Sequence, residues 1–248
     1  MHAKKSAIQD VESLKDATRS GIFPAPWQLT GKGYVVAVWM PHLNNTVEQS
    51  EQTLARKFMN KAGLLGSGGR VQLLIFAHYT HSDAGPYDEL LHIPQLSHGA
   101  VQGYPSIDKI YVSSMASVIN GQNNWGIPKQ LASFDYHQAA KSPATESIKL
   151  YTPDQQPIAQ ITFQSSRFKF PVSTALIPAR LRTLVQDWRG KRFYTAPEAS
   201  GQASFATVKN WWFDPVHFPE INNGKVLAAW KMTDFNMTFP LAKITALD

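Results

Sequence analysis

The sequence predicts an α+β protein that is mainly β, built on an antiparallel barrel or sandwich. Many apolar segments of strand length are joined by hairpin-turn residues, and few segments show a helical period. The chain has no internal repeat and no regular alternation of strands and helices, which argues against a parallel, Rossmann-like sheet. Its 248 residues are 43% apolar, and no linker-like run interrupts them. We therefore expect one domain spanning residues 1–248.

The N-terminal part of the chain predicts two helices around one buried strand. A helical period covers residues 7–19 and 46–61, and Thr46 can cap the second of these helices. The strand is expected at residues 34–40, a run with no polar side chain. The glycine-rich segment 63–69 lacks the Gly-Lys-Ser/Thr ending of a phosphate-binding loop, so we expect an ordinary turn there.

The middle of the chain predicts a hairpin followed by a strand and a short helix. Apolar runs at residues 71–79 and 87–93 flank the turn residues 82–86, a pattern typical of a β-hairpin. A further strand is expected at 107–113. The segment 114–120 then predicts a short helix that leads into a glycine-rich turn.

The C-terminal half predicts mostly strands. They are expected at residues 147–151, 158–164, 206–213 and 226–237. The first two flank the turn residues 152–157 and so predict a second hairpin. Leucine and tryptophan spacing predicts one more short helix at 178–188.

The charge of the chain favours a small anionic ligand over nucleic acid. The formal net charge is +6, but Lys and Arg are dispersed, and no basic helix with interleaved aromatic residues occurs. A basic protein attracts anions of any size. We expect a small-molecule partner and no nucleic-acid partner.

Several other classes of site are excluded or disfavoured by residue type. The chain has no cysteine, which excludes disulfides, zinc-thiolate sites and thiol catalysis. His78 and His81 lie close in sequence, but no acidic residue stands at ligand spacing, so no metal site is predicted. No apolar run is long enough for a signal peptide or a membrane span, and a cytoplasmic protein without a membrane partner is expected.

One lysine stands in an unusually stiff setting. Gly126 tolerates backbone angles that other residues resist, and Pro128 fixes its own φ directly before Lys129. If apolar neighbours bury this lysine, low dielectric disfavours its ammonium form, and a neutral amine can attack a carbonyl to form a Schiff base. The alternative is an ordinary turn with a solvated lysine.

Three segments, in this order, resemble signatures of the acetoacetate decarboxylase family. They are PWQLTGKGY at residues 26–34, GPYDEL at 85–90 and NWGIPKQLA at 124–132. The resemblance implies a closed, cone-like β-barrel with peripheral helices, whose interior holds the site. It also implies homo-oligomer formation and chemistry that needs no cofactor. It assigns the imine-forming amine to Lys129 and a general acid/base role to Glu89. Strand alternation places Glu89 on one face with Tyr87.

The sequence departs from the family pattern at five positions, two of which are Gln122 and Asn123, where the family often has a charged Arg-Glu pair. Gln130 stands where family decarboxylases have a second lysine, so a lowered pKa of Lys129 would have to come from burial. By spacing, a family acid falls at Leu74 and a carboxylate-binding arginine falls at Lys32. The predicted substrate-binding residues are Lys32, Gln130, Trp125 and Tyr87.

The sequence thus predicts a Schiff-base-forming lyase that acts on a keto acid or another carbonyl compound. Two alternatives stay open. One is aldolase, dehydratase or cyclase chemistry on a larger carbonyl compound, which the less charged set of site residues favours. The other is a barrel that binds a small molecule without catalysis.

Overall fold

The computed structural model describes residues 21–41, 69–95, 101, 103–139 and 144–247. The described strands are β1 Trp27–Pro41, β2 Gly69–His81, β3 Tyr87–Ile93, β4 Lys109–Val112, β5 Lys129–Leu131, β6 Ser133–Gln138, β7 Thr145–Tyr151, β8 Pro157–Ser173, β9 Leu184–Trp188, β10 Lys191–Thr195, β11 Glu198–Phe213, β12 Lys225–Phe239 and β13 Lys243–Ala246. The helices are α1 Met115–Trp125 and α2 Ala179–Arg182, with a 3-10 turn at Thr174–Leu176. The helices predicted at 7–19 and 46–61 lie outside the described residues, as does the turn predicted at 63–69 except Gly69, which begins β2.

Ten of the strands form one sheet that curls back on itself. The strand order is β5-β4-β3-β2-β1-β12-β11-β8-β7-β6, and all neighbours are antiparallel except β4 and β5. The two edge strands, β5 and β6, follow one another in the chain with only Ala132 between them. This short connection holds the two edges together, so the sheet is nearly closed into a barrel. The predicted mainly β, antiparallel class is confirmed.

The helix predicted at 178–188 is wrong over most of its length. Only Ala179–Arg182 is helical, and Leu184–Trp188 is strand β9. β9, β10 and β13 form a separate three-stranded sheet, in which Val185 pairs with Tyr194 and also donates its N–H to the Pro105 carbonyl. These tertiary hydrogen bonds override the helical spacing of the apolar residues.

β1 begins at Trp27, seven residues before the start predicted at residue 34. The prediction missed this part of the strand because it contains glycines. At Gly31 an added Cβ would lie 2.2 Å from the His78 carbonyl oxygen, and at Gly33 it would lie 2.1 Å from the Phe76 carbonyl oxygen. The two strands approach so closely here that only glycine fits. A polar, glycine-containing run therefore forms a strand that apolar content alone does not reveal.

Side-chain alternation divides the buried residues into two cores on opposite faces of the sheet. In β2, Leu74 and Phe76 belong to the first core, whereas Tyr79 belongs to the second. The first core joins strands that are not neighbours, since Tyr34 of β1 stacks on Phe163 of β8 with ring centroids 3.9 Å apart. It therefore fills the space that the curled sheet encloses. The second core packs β1 to β4 and β12 against α1.

Candidate active site

Lys129 is the first residue of β5 and points into the second core. Helix α1 ends at Gly126, which adopts the left-handed conformation with φ of 65° and donates its N–H to the Gln122 carbonyl. The chain then turns through Pro128, so the position of Lys129 is tied to the end of the helix. Lys129 is 5% exposed. The stiff frame seen in the sequence does bury the lysine, and a solvated lysine is excluded.

Three buried oxygen atoms surround the Lys129 ammonium nitrogen. Nζ lies 2.9 Å from Glu89 Oε2, 2.9 Å from Ser117 Oγ and 3.4 Å from Tyr87 Oη. The other oxygen of Glu89 accepts a hydrogen bond from the Tyr79 hydroxyl at 3.2 Å. The predicted neighbourhood of Lys129 and Glu89 is present, and Glu89 shares its face of β3 with Tyr87. The predicted place in the barrel interior is wrong, because the pair lies among the second core, on the face of the sheet opposite the enclosed first core. Their catalytic roles stay predictions.

The pKa of Lys129 reflects two opposing influences. Burial is the largest and acts to lower the pKa, but the Glu89 carboxylate and Tyr87 together outweigh it and raise the pKa above its ordinary value. The expectation of a lowered pKa for Lys129 is therefore wrong for the resting protein, because Glu89 and Tyr87 at contact distance outweigh the effect of burial. The resting site holds an ammonium–carboxylate pair.

Both tyrosines beside the pair are neutral hydrogen-bond donors at ordinary pH. Burial raises the pKa of Tyr87 to about 12, although the Lys129 charge acts in the opposite direction. Burial and the Glu89 charge raise the pKa of Tyr79 well above its ordinary value. The site therefore contains one cation, one anion and three hydroxyl groups, with Ser117 as the third.

Helix α1 contributes two groups that sequence reasoning missed. The predicted helix ended at residue 120, but α1 continues to Trp125 and includes Gly121. Ser117 and Gly121 are four residues apart and so lie on the same face of α1. A Cβ on Gly121 would lie 2.6 Å from Cδ of Lys129. A glycine inside a helix is unfavourable, and here it makes room for the lysine stem.

Gly121→Ala is expected to slow any reaction of the Lys129 amine by about 10- to 100-fold, because displacing a reacting group by about 1 Å has effects of that size. Alanine favours helix formation, so the loss cannot come from a weaker helix. The measurement is the rate of reductive trapping of a bound carbonyl compound. Asn123→Ala, on an exposed part of the same helix, is the control and should keep the wild-type rate. Equal rates in both variants would show that the close contact with Gly121 does not position Lys129.

A mostly apolar cavity of about 240 Å³ adjoins the pair. Its lining includes Lys129, Glu89, Tyr79 and Tyr87, and most other lining side chains are apolar. The apolar wall includes Trp27, Leu29, Leu73, Ile75, Leu91, Ile93, Ile107, Ile110, Trp125, Ile127, Leu181, Leu184, Met237 and Phe239. The Trp125 indole N–H donates to the Pro240 carbonyl at 2.7 Å, which fixes its ring in the wall. Trp125 and Tyr87 thus lie where a ligand could touch them.

Three positions singled out from the sequence lie away from this cavity. Gln130 is exposed, because alternation along β5 turns it away from Lys129. Leu74 belongs to the first core, on the face of β2 opposite the pair. Lys32 shares its face of β1 with Tyr34 and forms an ion pair with Glu146. The predicted substrate-binding roles of Lys32 and Gln130 are therefore corrected, and no acid is missing from the cavity at Leu74.

The partner of Lys32 is a second buried carboxylate that the sequence did not reveal. Glu146 of β7 accepts hydrogen bonds from the Tyr34 hydroxyl, from the Tyr136 hydroxyl at 2.6 Å and from the Lys231 ammonium at 2.8 Å, while Lys32 Nζ lies 3.9 Å away. Burial acts to raise the pKa of Glu146, but these donors together lower it. Its oxygens are fully used, so this cluster stabilises the first core.

Lys129→Met is expected to lower the free energy of unfolding by about 3–5 kcal/mol at neutral pH, because it leaves the Glu89 charge buried without a partner. The two side chains are only 5% and 8% exposed. The double variant Lys129→Met/Glu89→Gln should recover most of the loss, since no buried charge remains. Denaturant unfolding of the wild type, of Lys129→Met, of Glu89→Gln and of the double variant measures this coupling.

The same pair makes the stability depend on pH in a defined direction. Because the pKa of Lys129 is raised in the folded protein, its stabilising effect is fully present below the ordinary lysine value of 10.5 and is lost as pH rises through the folded value. The stability gap between wild type and Lys129→Met should therefore narrow above about pH 10.5. A constant gap would contradict the raised pKa.

Within the described parts of the chain, no group of three or more His, Asp or Glu side chains is arranged to hold a metal ion. None of the helices described there has the length and apolar character needed to cross a membrane.

The fold and the site together define a class of protein, a nearly closed antiparallel barrel with a lysine–carboxylate pair buried beside an apolar cavity. Solved structures that share this fold include acetoacetate decarboxylases and an acetoacetate decarboxylase-like enzyme. The acetoacetate decarboxylase from Legionella pneumophila subsp. pneumophila str. Philadelphia 1 superposes with a TM-score of 0.61 and 12% sequence identity, covering 90% of this chain and 88% of that chain.

Two other structures extend this comparison. An acetoacetate decarboxylase matches with a TM-score of 0.54 and 11% identity, covering 91% of each chain. An acetoacetate decarboxylase-like enzyme from Sphingomonas wittichii RW1 matches with a TM-score of 0.55 and 12% identity, covering 92% of this chain and 96% of that chain. No protein-family model and no curated protein sequence matches the chain. The chain has the acetoacetate decarboxylase fold, and the resemblance seen in the sequence is confirmed at that level.

Proposed function

We propose that the protein is a lyase that forms an imine between Lys129 and a keto acid or another carbonyl compound. One observation carries the proposal. Lys129 Nζ lies 2.9 Å from the Glu89 carboxylate at the wall of an apolar cavity. A buried amine with an acid/base group in contact is what imine chemistry requires, because a proton must leave nitrogen before attack and return later.

The first step is a proton transfer within the pair. Glu89 accepts a proton from the Lys129 ammonium group, which leaves a neutral amine and a carboxylic acid. An apolar ligand that enters the cavity and excludes water favours this neutral pair over the charged one. The amine then attacks the carbonyl carbon to give a carbinolamine. Glu89 returns its proton to the hydroxyl group, which leaves as water, and a positively charged imine remains.

The second step uses the imine as an electron acceptor. In a β-keto acid the bond to the carboxylate breaks, carbon dioxide leaves, and the electron pair forms an enamine with the nitrogen. A proton added at carbon regenerates the imine, and water then releases the product and free Lys129. The Tyr87 hydroxyl, 3.4 Å from Nζ, and Ser117 are placed to hydrogen-bond the reacting nitrogen or oxygen.

A second candidate is aldolase, dehydratase or cyclase chemistry on a larger carbonyl compound through the same imine. The observation that favours it is the mostly apolar wall of the cavity, which suits a ligand that is larger and less polar than acetoacetate. In this case the imine activates a neighbouring C–H or C–O bond and no carbon dioxide leaves. Non-catalytic binding is the remaining alternative and predicts that no covalent adduct forms.

Reductive trapping tests the proposal without assuming the overall reaction. The protein is mixed with a panel of keto acids, ketones and aldehydes, reduced with borohydride and analysed by intact mass. We expect a mass increase equal to one reduced adduct with at least one carbonyl compound. Ligand binding to the cavity without any adduct would support the binding barrel and reject the enzyme.

Acetoacetate itself is expected to be a poor substrate, with turnover below about 1 per second, the lower end of usual enzyme rates. The physical reason differs from the one the sequence suggested, because Gln130 and Leu74 do not face the cavity. Instead, the apolar wall gives a small polar anion little to bind, and Glu89 repels its carboxylate. Carbon dioxide release from acetoacetate and from keto acids with longer apolar chains measures this. Faster turnover of acetoacetate than of the longer compounds would contradict the account.

A further inference from the structure

A second cationic side chain, besides Lys129, lines the cavity. Arg182 ends α2, and its side chain is 23% exposed. Its Nη1 donates to Glu198 at 3.2 Å, while its Nε is buried and has no hydrogen-bond partner among the residues that the structure describes. Glu198 is 72% exposed and contacts the guanidinium through one oxygen only. The guanidinium is thus incompletely satisfied.

An arginine in this state is suited to bind an anion. A guanidinium keeps its charge at any working pH and presents a planar set of five N–H groups. A carboxylate can accept two of them at once, a geometry that a single contact with Glu198 does not use. When a ligand fills the cavity, the Arg182 guanidinium loses contact with water. An anionic ligand compensates for this loss, whereas a neutral ligand does not.

Arg182 and Lys129 differ in depth. Lys129 is 5% exposed and is enclosed by buried hydroxyl and carboxylate groups, whereas Leu181, next to Arg182, is 40% exposed. Lys129 therefore lies at the deep part of the cavity and Arg182 at its rim. The other lining side chains, such as Ile75 and Leu91, are mostly apolar.

We propose that Arg182 binds an anionic group of the substrate at the rim while the substrate's carbonyl carbon reaches Lys129. The substrate is then an amphipathic oxo acid, in which an apolar chain separates the anionic group from the reacting carbonyl. The orientation towards Lys129 rests on the proposed function. The anion site at Arg182 does not, because it needs no covalent step.

A pair of probes without a reactive carbonyl isolates this site. Octanoate and octanamide have the same chain, but only octanoate carries a charge. Calorimetric titration of the wild-type protein should show tighter binding of octanoate. Arg182→Met should weaken octanoate binding by about ten- to a hundredfold and leave octanamide binding unchanged. Arg180→Met is the matched control, since Arg180 donates to the Gly103 carbonyl and lies outside the cavity lining.

Glu198→Gln gives an independent signature. Glu198 competes with a ligand anion for the guanidinium, so its neutralisation should tighten octanoate binding severalfold. If Arg182 served only to hold Glu198, this variant would leave octanoate binding unchanged. Glu198→Gln also decides the question if Arg182→Met fails to fold.

Three results would overturn the inference: no binding of octanoate to the wild type, no preference over octanamide, or a preference that persists in Arg182→Met. Failure of the proposed function looks different. In that case no carbonyl compound is trapped by borohydride, while the Arg182-dependent preference for octanoate remains. Trapping at Lys129 without any role for Arg182 would reject the anion site alone.

Discussion

Lys129→Arg is expected to abolish borohydride trapping and to lower turnover of any trapped compound by a factor on the order of 10⁴ or more. Arginine keeps the positive charge beside Glu89 but cannot become a neutral nucleophile at working pH. The change therefore removes the amine nucleophile, while a cation remains beside the buried Glu89 carboxylate. Intact mass after reduction and initial rates on the same compound measure the two effects, and circular dichroism checks the fold.

The matched control for this variant is Gln130→Arg. Residue 130 is the next position on β5 and is exposed, so the same new side chain is added outside the cavity. We expect wild-type trapping and turnover from it. Gln130→Lys should likewise change little, because water screens a charge that points away from Lys129. Turnover that survives Lys129→Arg would exclude an imine at this residue.

Glu89→Gln is expected to have two separable effects. Turnover should fall by about 10²- to 10⁴-fold, because the general acid/base group is lost. The pH dependence of trapping should move to lower pH, for a different reason. The carboxylate is what holds the pKa of Lys129 above its ordinary value, and without it burial, which lowers the pKa, dominates. The neutral amine then forms at lower pH.

Asp88→Asn is the control for the adjacent carboxylate. Asp88 Oδ1 lies 2.6 Å from His78 Nδ1 and is absent from the cavity lining. The Asp88→Asn variant should leave both turnover and the pH dependence of trapping unchanged. A Glu89→Gln variant whose trapping profile stays in place, or moves to higher pH, would contradict the electrostatic role assigned to Glu89.

The sequence was sufficient to predict the centre of the site. Gly126 and Pro128 restrict the backbone before Lys129, while its burial comes from Glu89 and Tyr87 of β3 and Ser117 of α1, which pack around its amine. Glu89 was singled out by the resemblance to the acetoacetate decarboxylase family, and side-chain alternation then placed it on the face of its strand that carries Tyr87. The mainly β class followed from similar local patterns, the apolar strand-length runs and their turns.

The sequence could not show which faces of different strands meet. Gln130, Leu74 and Lys32 were assigned by spacing along the chain, but each side chain points to the other face of its strand. A shift of one residue reverses that direction, and sequence spacing does not resolve it. Ser117 and Tyr79 were missed because single hydroxyl residues carry no pattern. Gly121 did leave a signal, a glycine at helical spacing from Ser117, which the close approach of the lysine stem explains.

Peptide mapping of the reduced adduct tests the central claim most directly. The protein is trapped with the carbonyl compound that gives the largest mass shift, digested and sequenced by tandem mass spectrometry. Because Lys129 is the buried lysine that adjoins the cavity in the described structure, we predict that the adduct is found on Lys129 and that the peptides carrying other lysines are unmodified. An adduct on any other lysine, with Lys129 unmodified, would contradict the account.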